Sequence, residues 1–291
     1  MICAACVLFV GAVAGAETVN IPASADGSLW EWMPTAVTGN AADTRLRVGT
    51  VGARGNNTRA RGLFKFDVAG AIPAGSTINS VRLKVHVTRA VDFEPRDFDL
   101  HRMLVPWTEE VVCWDVRAEP GVPWSQPGAG ADADYAAFAS GSGLIGNPTL
   151  FGTPTEFIFP SAPDLVADVQ GWLDDPAANN GWLMRRANEL DPFTARALVS
   201  REAAGGAPQL EVTYTPFRIE SVSVQSGNLC LSFTAEAGKS YTVEFRNDFG
   251  VGTWTTLTNL PPADATGPVT VCRPLIGERR FFRVGELPPL P

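Results

Sequence analysis

Residues Arg61 to Val87 read RGLFKFDVAGAIPAGSTINSVRLKVHV: two alternating runs flanking a connection that bears Pro and Gly. Phe64, Phe66 and Val68 share one parity, with Lys65 and Asp67 on the other. Val81, Leu83, Val85 and Val87 repeat the pattern against Arg82, Lys84 and His86. Successive side chains of a strand point to opposite faces, so this period of two predicts two half-buried sheet strands. The connection AGAIPAG supplies residues that turn a chain without strain, but it is too long for a tight hairpin.

The same logic extends upstream. Arg45 and Arg47 alternate with Leu46 and Val48, which predicts a strand with both arginines on the face opposite the apolar pair. ETVNIPASADG predicts a strand that begins at Glu17 and turns at Asp26-Gly27; Trp30 and Trp32 follow with equal parity. Thr44 to Leu63 holds arginines at 45, 47, 54, 59 and 61 and no acid. That stretch reads either as a solvated sheet face or as a local basic surface suited to carboxylated or sulfated glycans.

Downstream, Asp99–Val105 and Val111–Trp114 are expected as strands joined by a turn through Glu109 and Glu110. Between Ala118 and Gly152 the pattern dissolves into a Gly-, Ala-, Pro- and Ser-rich stretch that carries Trp124, Tyr135 and Phe138. A loop of that length is functional, flexible or packed by its own aromatics. Phe157 and Phe159 restore alternation. Ser161 to Asp174 predicts one helix, with Ser161 and Asp164 placed as a capping box and Pro163 in the first turn. Its apolar stripe is Leu165, Val166, Val169, Trp172 and Leu173. Strands over Gly181–Arg185, Ala195–Ser200 and Gln209–Tyr214 complete the sheet. Trp107, Trp114, Trp172 and Trp182 are expected in the core.

Composition breaks at Thr215-Pro216, and from Ile219 short strands restart, separated by Gly, Asn and Pro. About six strands in this span suggest a small Ig-like or fibronectin-like sandwich with Trp254 in its core. Cys230 and Cys272 share the outward parity of their strands, so a cross-strand disulfide between them is expected in an oxidising compartment.

The central run resembles the middle of the DNRLRE domain, also described as carbohydrate-binding module family 96. ADTRLRVG (Ala42 to Gly49) occupies the place of that family's naming motif, with Thr44 and Val48 departing from its letters. LHRMLVPWTEE (Leu100 to Glu110) and LVADVQGWLDDPAANNGWLMR (Leu165 to Arg185) fit the same pattern, and the likeness covers roughly Val19 to Thr215. It implies a secreted jelly-roll β-sandwich that binds sugar. AGKSYTVEFRNDFGVGTWTTLTN (Ala237 to Asn259) is similar to C-terminal accessory modules of bacterial secreted proteins, which implies an adaptor.

The expected organisation is a signal peptide over 1–16, a jelly-roll-type β-sandwich with one short helix over 17–215, and the small Ig/fibronectin-like β-sandwich over 216–291. Met1 to Ala16 is apolar and ends Ala-Gly-Ala, a cleavage pattern too short to span a bilayer, although no Lys or Arg precedes it. A net charge of -8 gives no global attraction to nucleic acid or anionic membrane. With only two histidines and no HExxH, GxSxG or phosphate-cradling glycine loop, the chain carries no recognisable catalytic motif. Hydrolase chemistry requires two carboxylates at defined separation in a cleft, one with a raised pKa. Asp132 and Asp134, in DADY, offer oxygens for a structural calcium, but at a spacing that matches no dedicated loop. The function expected is a secreted, non-catalytic polysaccharide-binding protein, with Arg45, Arg47, Trp30, Trp32, Trp124 and Tyr135 as candidate ligand contacts. The alternative is a structural or adhesive cell-surface protein that binds protein or acts as a spacer.

Overall fold

The computed structural model describes residues 15–37, 43–247, 253–274 and 281–287; most of the stretch read as a signal lies outside them. Contacts divide the chain into two compact units, one formed by 17–74 and 78–214, the other mainly by 215 onward with 75–77 grouped to it. The first contains β1 (Glu17–Trp30), β2 (Arg45–Thr50), β3 (Arg59–Phe66), a one-turn α1 (Val68–Ala71), β4 (Thr77–Ala90) and β5 (Arg96–Arg102). It continues with a short ribbon of β6 (Val116–Ala118) and β7 (Val122–Pro123), then β8 (Gly141–Ile145), β9 (Thr155–Phe159), α2 (Pro163–Asp174), β10 (Trp182–Arg186), β11 (Arg196–Val199) and β12 (Gln209–Thr215).

These strands form an all-β sandwich. One layer runs β12-β4-β11-β2, with β9 beside β4, and the other runs β3-β10-β5-β8. β1 belongs to both: Glu17–Pro22 pair with β12, and Ala23–Trp30 pair with β3, with a register shift between Ala23 and Ala25. The Asp26-Gly27 turn expected from sequence is therefore not a turn. The strand passes straight through it, leaving Asp26 fully buried.

Between the layers lie Phe64, Phe66, Val81, Leu83, Val85, Val87, Leu46, Val48, Leu210 and Val212, the inward parity of each run. α2 adds Leu165, Val169, Trp172 and Leu173, and the rings of Trp172 and Trp182 approach to 4.4 Å. No capping box forms: Ala162 is the N-cap, and Ser161 Oγ instead accepts the Val81 N–H at 3.0 Å. Val68 is buried but belongs to α1, whose Gly70 N–H is capped by Asp67.

The second layer is covered on its outer face as well. Residues 103–137 fold over it, burying Leu29, Leu63, Met103, Val112, Trp114, Trp124, Tyr135 and Leu183 in a second core. Val112 and Trp114 are buried there from a turn and bend, not from the strand expected over Val111–Trp114. β8 escaped the sequence reading because two of its three inward positions are Gly141 and Gly143, with Ile145 the third. A Cβ at the two glycines would lie 2.6 Å from Leu165 and 2.8 Å from Phe159. The helix and β9 fill the space that side chains would otherwise take.

Among the described residues the second unit has six strands in two three-stranded antiparallel sheets. They are β13 (Ile219–Gln225), β14 (Asn228–Ala235), β15 (Ser240–Arg246), β16 (Thr255–Leu260), β17 (Gly267–Pro274) and β18 (Phe281–Leu287). Leu231, Phe233, Tyr241, Val243 and Val271 form its core. Cys230 and Cys272 are direct register partners on β14 and β17 and are disulfide-bonded, with Cα atoms 4.0 Å apart. Trp254 lies outside that core, half-buried, with the guanidinium carbons of Arg246 and Arg283 each 4.5 Å from its ring centroid.

Candidate functional site: an arginine groove and a carboxylate cluster

Three of the five arginines of the acid-free stretch pair with acids that lie outside it. Arg59 forms a two-pronged pair with Glu31 at 3.0 and 2.8 Å, and its hydrogen bonds hold the Glu31 carboxyl below the usual range. Arg61 is buried and grips Glu189 at 2.7 and 2.6 Å while donating to the Gly128 and Ala129 carbonyls. Arg47 pairs with Asp43 at 3.0 Å, its guanidinium carbon 4.8 Å from the centroid of the Trp30 ring. Arg45 has no ion-pair partner among the described residues. Most of the basic surface suggested by the sequence is thus neutralised locally, and Arg61 is a core anchor.

Arg45 lines an open groove of about 310 Å³ with Thr44, Thr88, Arg89, Phe151, Val199, Ala203 and Gly205. β-Register builds it. Arg45 stands opposite Val199, and Ala197 stands between Arg47 on β2 and Arg89 on β4, placing all three arginines on the outer face. Arg89, like Arg45, is exposed and lacks an ion-pair partner among the described residues. The Phe151 ring, 73% exposed, lies 5.8 Å from the Arg89 guanidinium carbon. An exposed ring beside two unpaired guanidinium groups can stack on the C–H face of a pyranose while two-pronged donors hold a carboxylate or sulfate.

The other candidates fall elsewhere. Trp124 and Tyr135 are buried, so their rings present no face to a ligand: the Trp124 Nε1–H donates to the Cys113 carbonyl at 2.9 Å, and the Tyr135 hydroxyl accepts from Arg185 at 3.0 Å. Trp124 and Tyr135 pack the long loop onto the sheet, while Phe138 stays exposed. Trp30 is half-buried beneath Arg47, and Trp32 is 46% exposed in the turn after β1. Arg89 and Phe151 were missed because they join Arg45 only through the β4-β11-β2 pairing, which no local pattern encodes. Asp134 is buried, and its Oδ2 accepts from Ser125 N, Ser125 Oγ and Gly130 N at 2.9, 2.6 and 2.7 Å. It closes the loop, while Asp132 is exposed and accepts from Ala137 N.

A carboxylate cluster also assembles from remote segments: Asp26 of β1, Glu109 of the turn after β5, and Glu202 of the loop after β11. Burial, with smaller contributions from Glu202 and Glu109, pushes the Asp26 carboxyl up to about 8, against the Arg201 N–H bond that favours its anion. Glu109, in the turn expected from sequence, points inward and accepts the Asp26 N–H at 3.0 Å. Close carboxylates with one raised pKa are what acid–base catalysis uses, but fully buried Asp26 cannot reach a substrate atom.

No family model matches the sequence, and no curated protein matches it. Among the described residues no helix is long and apolar enough to cross a membrane.

Proposed function

We propose that this is a secreted, non-catalytic carbohydrate-binding protein whose first unit, related to the DNRLRE domain, holds an acidic polysaccharide in the Arg45–Arg89 groove. One observation carries the reading: two exposed arginines without acid partners among the described residues flank an open groove that also presents the Phe151 ring. Elsewhere on this unit most arginines are matched to carboxylates, so an unmatched pair at a concavity is a place where an anion gains two charge-assisted contacts. The overall charge of -8 opposes a polyanion at long range. At physiological salt the Debye length is about 8 Å, so groups at contact distance outweigh that repulsion. The second unit, with its disulfide and adaptor-like composition, serves as an accessory module.

Affinity electrophoresis of the full chain against alginate, pectate, a sulfated glycan and neutral glucans tests the reading. An acidic polymer should retard the protein most, and Arg45→Ala with Arg89→Ala should abolish retardation, whereas Arg47→Ala should weaken it little because Asp43 already neutralises that side chain. Tighter binding to neutral polymers, unchanged by the double substitution, would refute the groove. Absence of binding to every polysaccharide would refute the carbohydrate reading and favour a structural or adhesive role.

A further inference from the structure

We propose that Asp26, Glu109 and Glu202 form a calcium site that ties β1, the turn after β5 and the loop after β11 together. One ligand atom from each residue lies within 4.8 Å of the other two. Calcium takes oxygen ligands at about 2.3–2.6 Å, so a single coordination sphere spans oxygens separated by up to about 5 Å. The donor set is oxygen only, without imidazole or thiolate, which selects a hard cation over zinc or copper.

Unanswered hydrogen-bonding capacity points independently to a ligand. Asp26 is fully buried, and among the described residues its Oδ1 has no hydrogen-bond partner; the Oε2 of Glu202 is likewise buried and unpartnered. Buried polar atoms are satisfied in the great majority of cases, and two orphaned carboxylate oxygens in one cluster mark a place where a cation or its water belongs. The remaining contacts are accounted for. Asp26 Oδ2 accepts Arg201 N–H at 2.7 Å, Glu109 Oε1 accepts Asp26 N–H at 3.0 Å, and Arg201 Nε lies 2.9 Å from both Glu109 Oε1 and Glu202 Oε1. Once a cation displaces the Asp26 proton, three carboxylates against one guanidinium carry a formal charge of -2, which a divalent ion balances. The Glu109 and Glu202 side chains keep 11% exposure, so one side of the cluster remains open for an ion and its water ligands.

The site has a structural consequence. Glu202 sits in the loop that continues to Ala203 and Gly205, two residues of the arginine-groove wall. An ion at the cluster fixes that loop to β1. The site stands whether or not the groove binds glycan, because none of its ligands belongs to the groove.

Calorimetric titration of chelator-stripped full-length protein with calcium chloride, paired with melting temperature, tests the proposal. The expected result is one calcium per chain and a higher melting temperature. Asp26→Asn and Glu202→Gln should each lower affinity at least about tenfold, whereas Asp132→Asn should leave it unchanged. Asp26→Asn retains an oxygen that accepts the Arg201 N–H, and Glu202→Gln lies at the rim, so if the first fails to fold the second decides. A folded wild type showing neither heat nor a melting shift at millimolar calcium overturns the site, as does undiminished binding in folded variants. Magnesium binding as tightly as calcium overturns the assignment of the ion.

Discussion

Arg61→Met should destabilise the first unit by about 3–5 kcal/mol, the range for breaking a buried ion pair by removing one partner. Methionine keeps the apolar stem within the second core but deletes the two-pronged bond to Glu189, whose Oε atoms lie 2.7 and 2.6 Å from the guanidinium nitrogens. It also removes the donor to the Gly128 and Ala129 carbonyls at 2.6 and 2.9 Å, and each buried acceptor so stranded costs about 1–3 kcal/mol. Arg185, 3.3 Å from Glu189, still screens part of the stranded charge and holds the loss toward the lower end. Urea denaturation followed by tryptophan fluorescence is the assay, since the Arg61 guanidinium carbon lies 5.6 Å from the Trp114 ring. Arg61→Met combined with Glu189→Met removes both charges, so it should recover a substantial part of the single-variant loss. A single-variant cost below about 1 kcal/mol, or a double variant no better than the single, would refute the claim that this pair anchors the 103–137 cover.

The Asp26 carboxyl is raised from 3.8 to about 8, so between these values the folded state binds a proton that the unfolded state has lost, and stability falls as pH rises. From 3.8 to pH 7, at about 1.36 kcal/mol per unit, that amounts to about 4 kcal/mol. In chelator, Asp26→Asn should remove this slope, and parallel wild-type and variant urea midpoints from pH 4 to 7 would contradict it. Reducing Cys230–Cys272, separated by 42 residues, should cost the second unit about 4 kcal/mol in the chain-entropy model, read as a melting shift of that unit with the first unchanged. Gly143→Ala should cost about 1–3 kcal/mol because its methyl would lie 2.8 Å from the Phe159 ring, and a neutral effect in thermal melts would mean that β8 is not packed as described.

The alternation of Phe64, Phe66, Val81, Leu83, Val85 and Val87 determined the strands and their inward faces, because period two is a local property of an extended chain. The helix over 163–174 was equally legible from its apolar stripe, and outward parity put Cys230 and Cys272 on one face. Sequence parity did not show that Leu63 and Arg61, on the other face of β3, would be buried too. That required the 103–137 segment to fold over the sheet, a contact between stretches far apart in the chain. β8 was hidden because two of its three inward residues are glycine, and Ile145 alone makes no hydrophobic period to read. Both sites belong to the tertiary structure alone. Arg45 meets Arg89 and Phe151 through strand pairing, and Asp26 meets Glu109 and Glu202 across chain separations no motif spans. A local pattern says which way a side chain points; what it meets there is set by long-range register and loop packing, and charge pairing depends on that distance rather than on order in the chain.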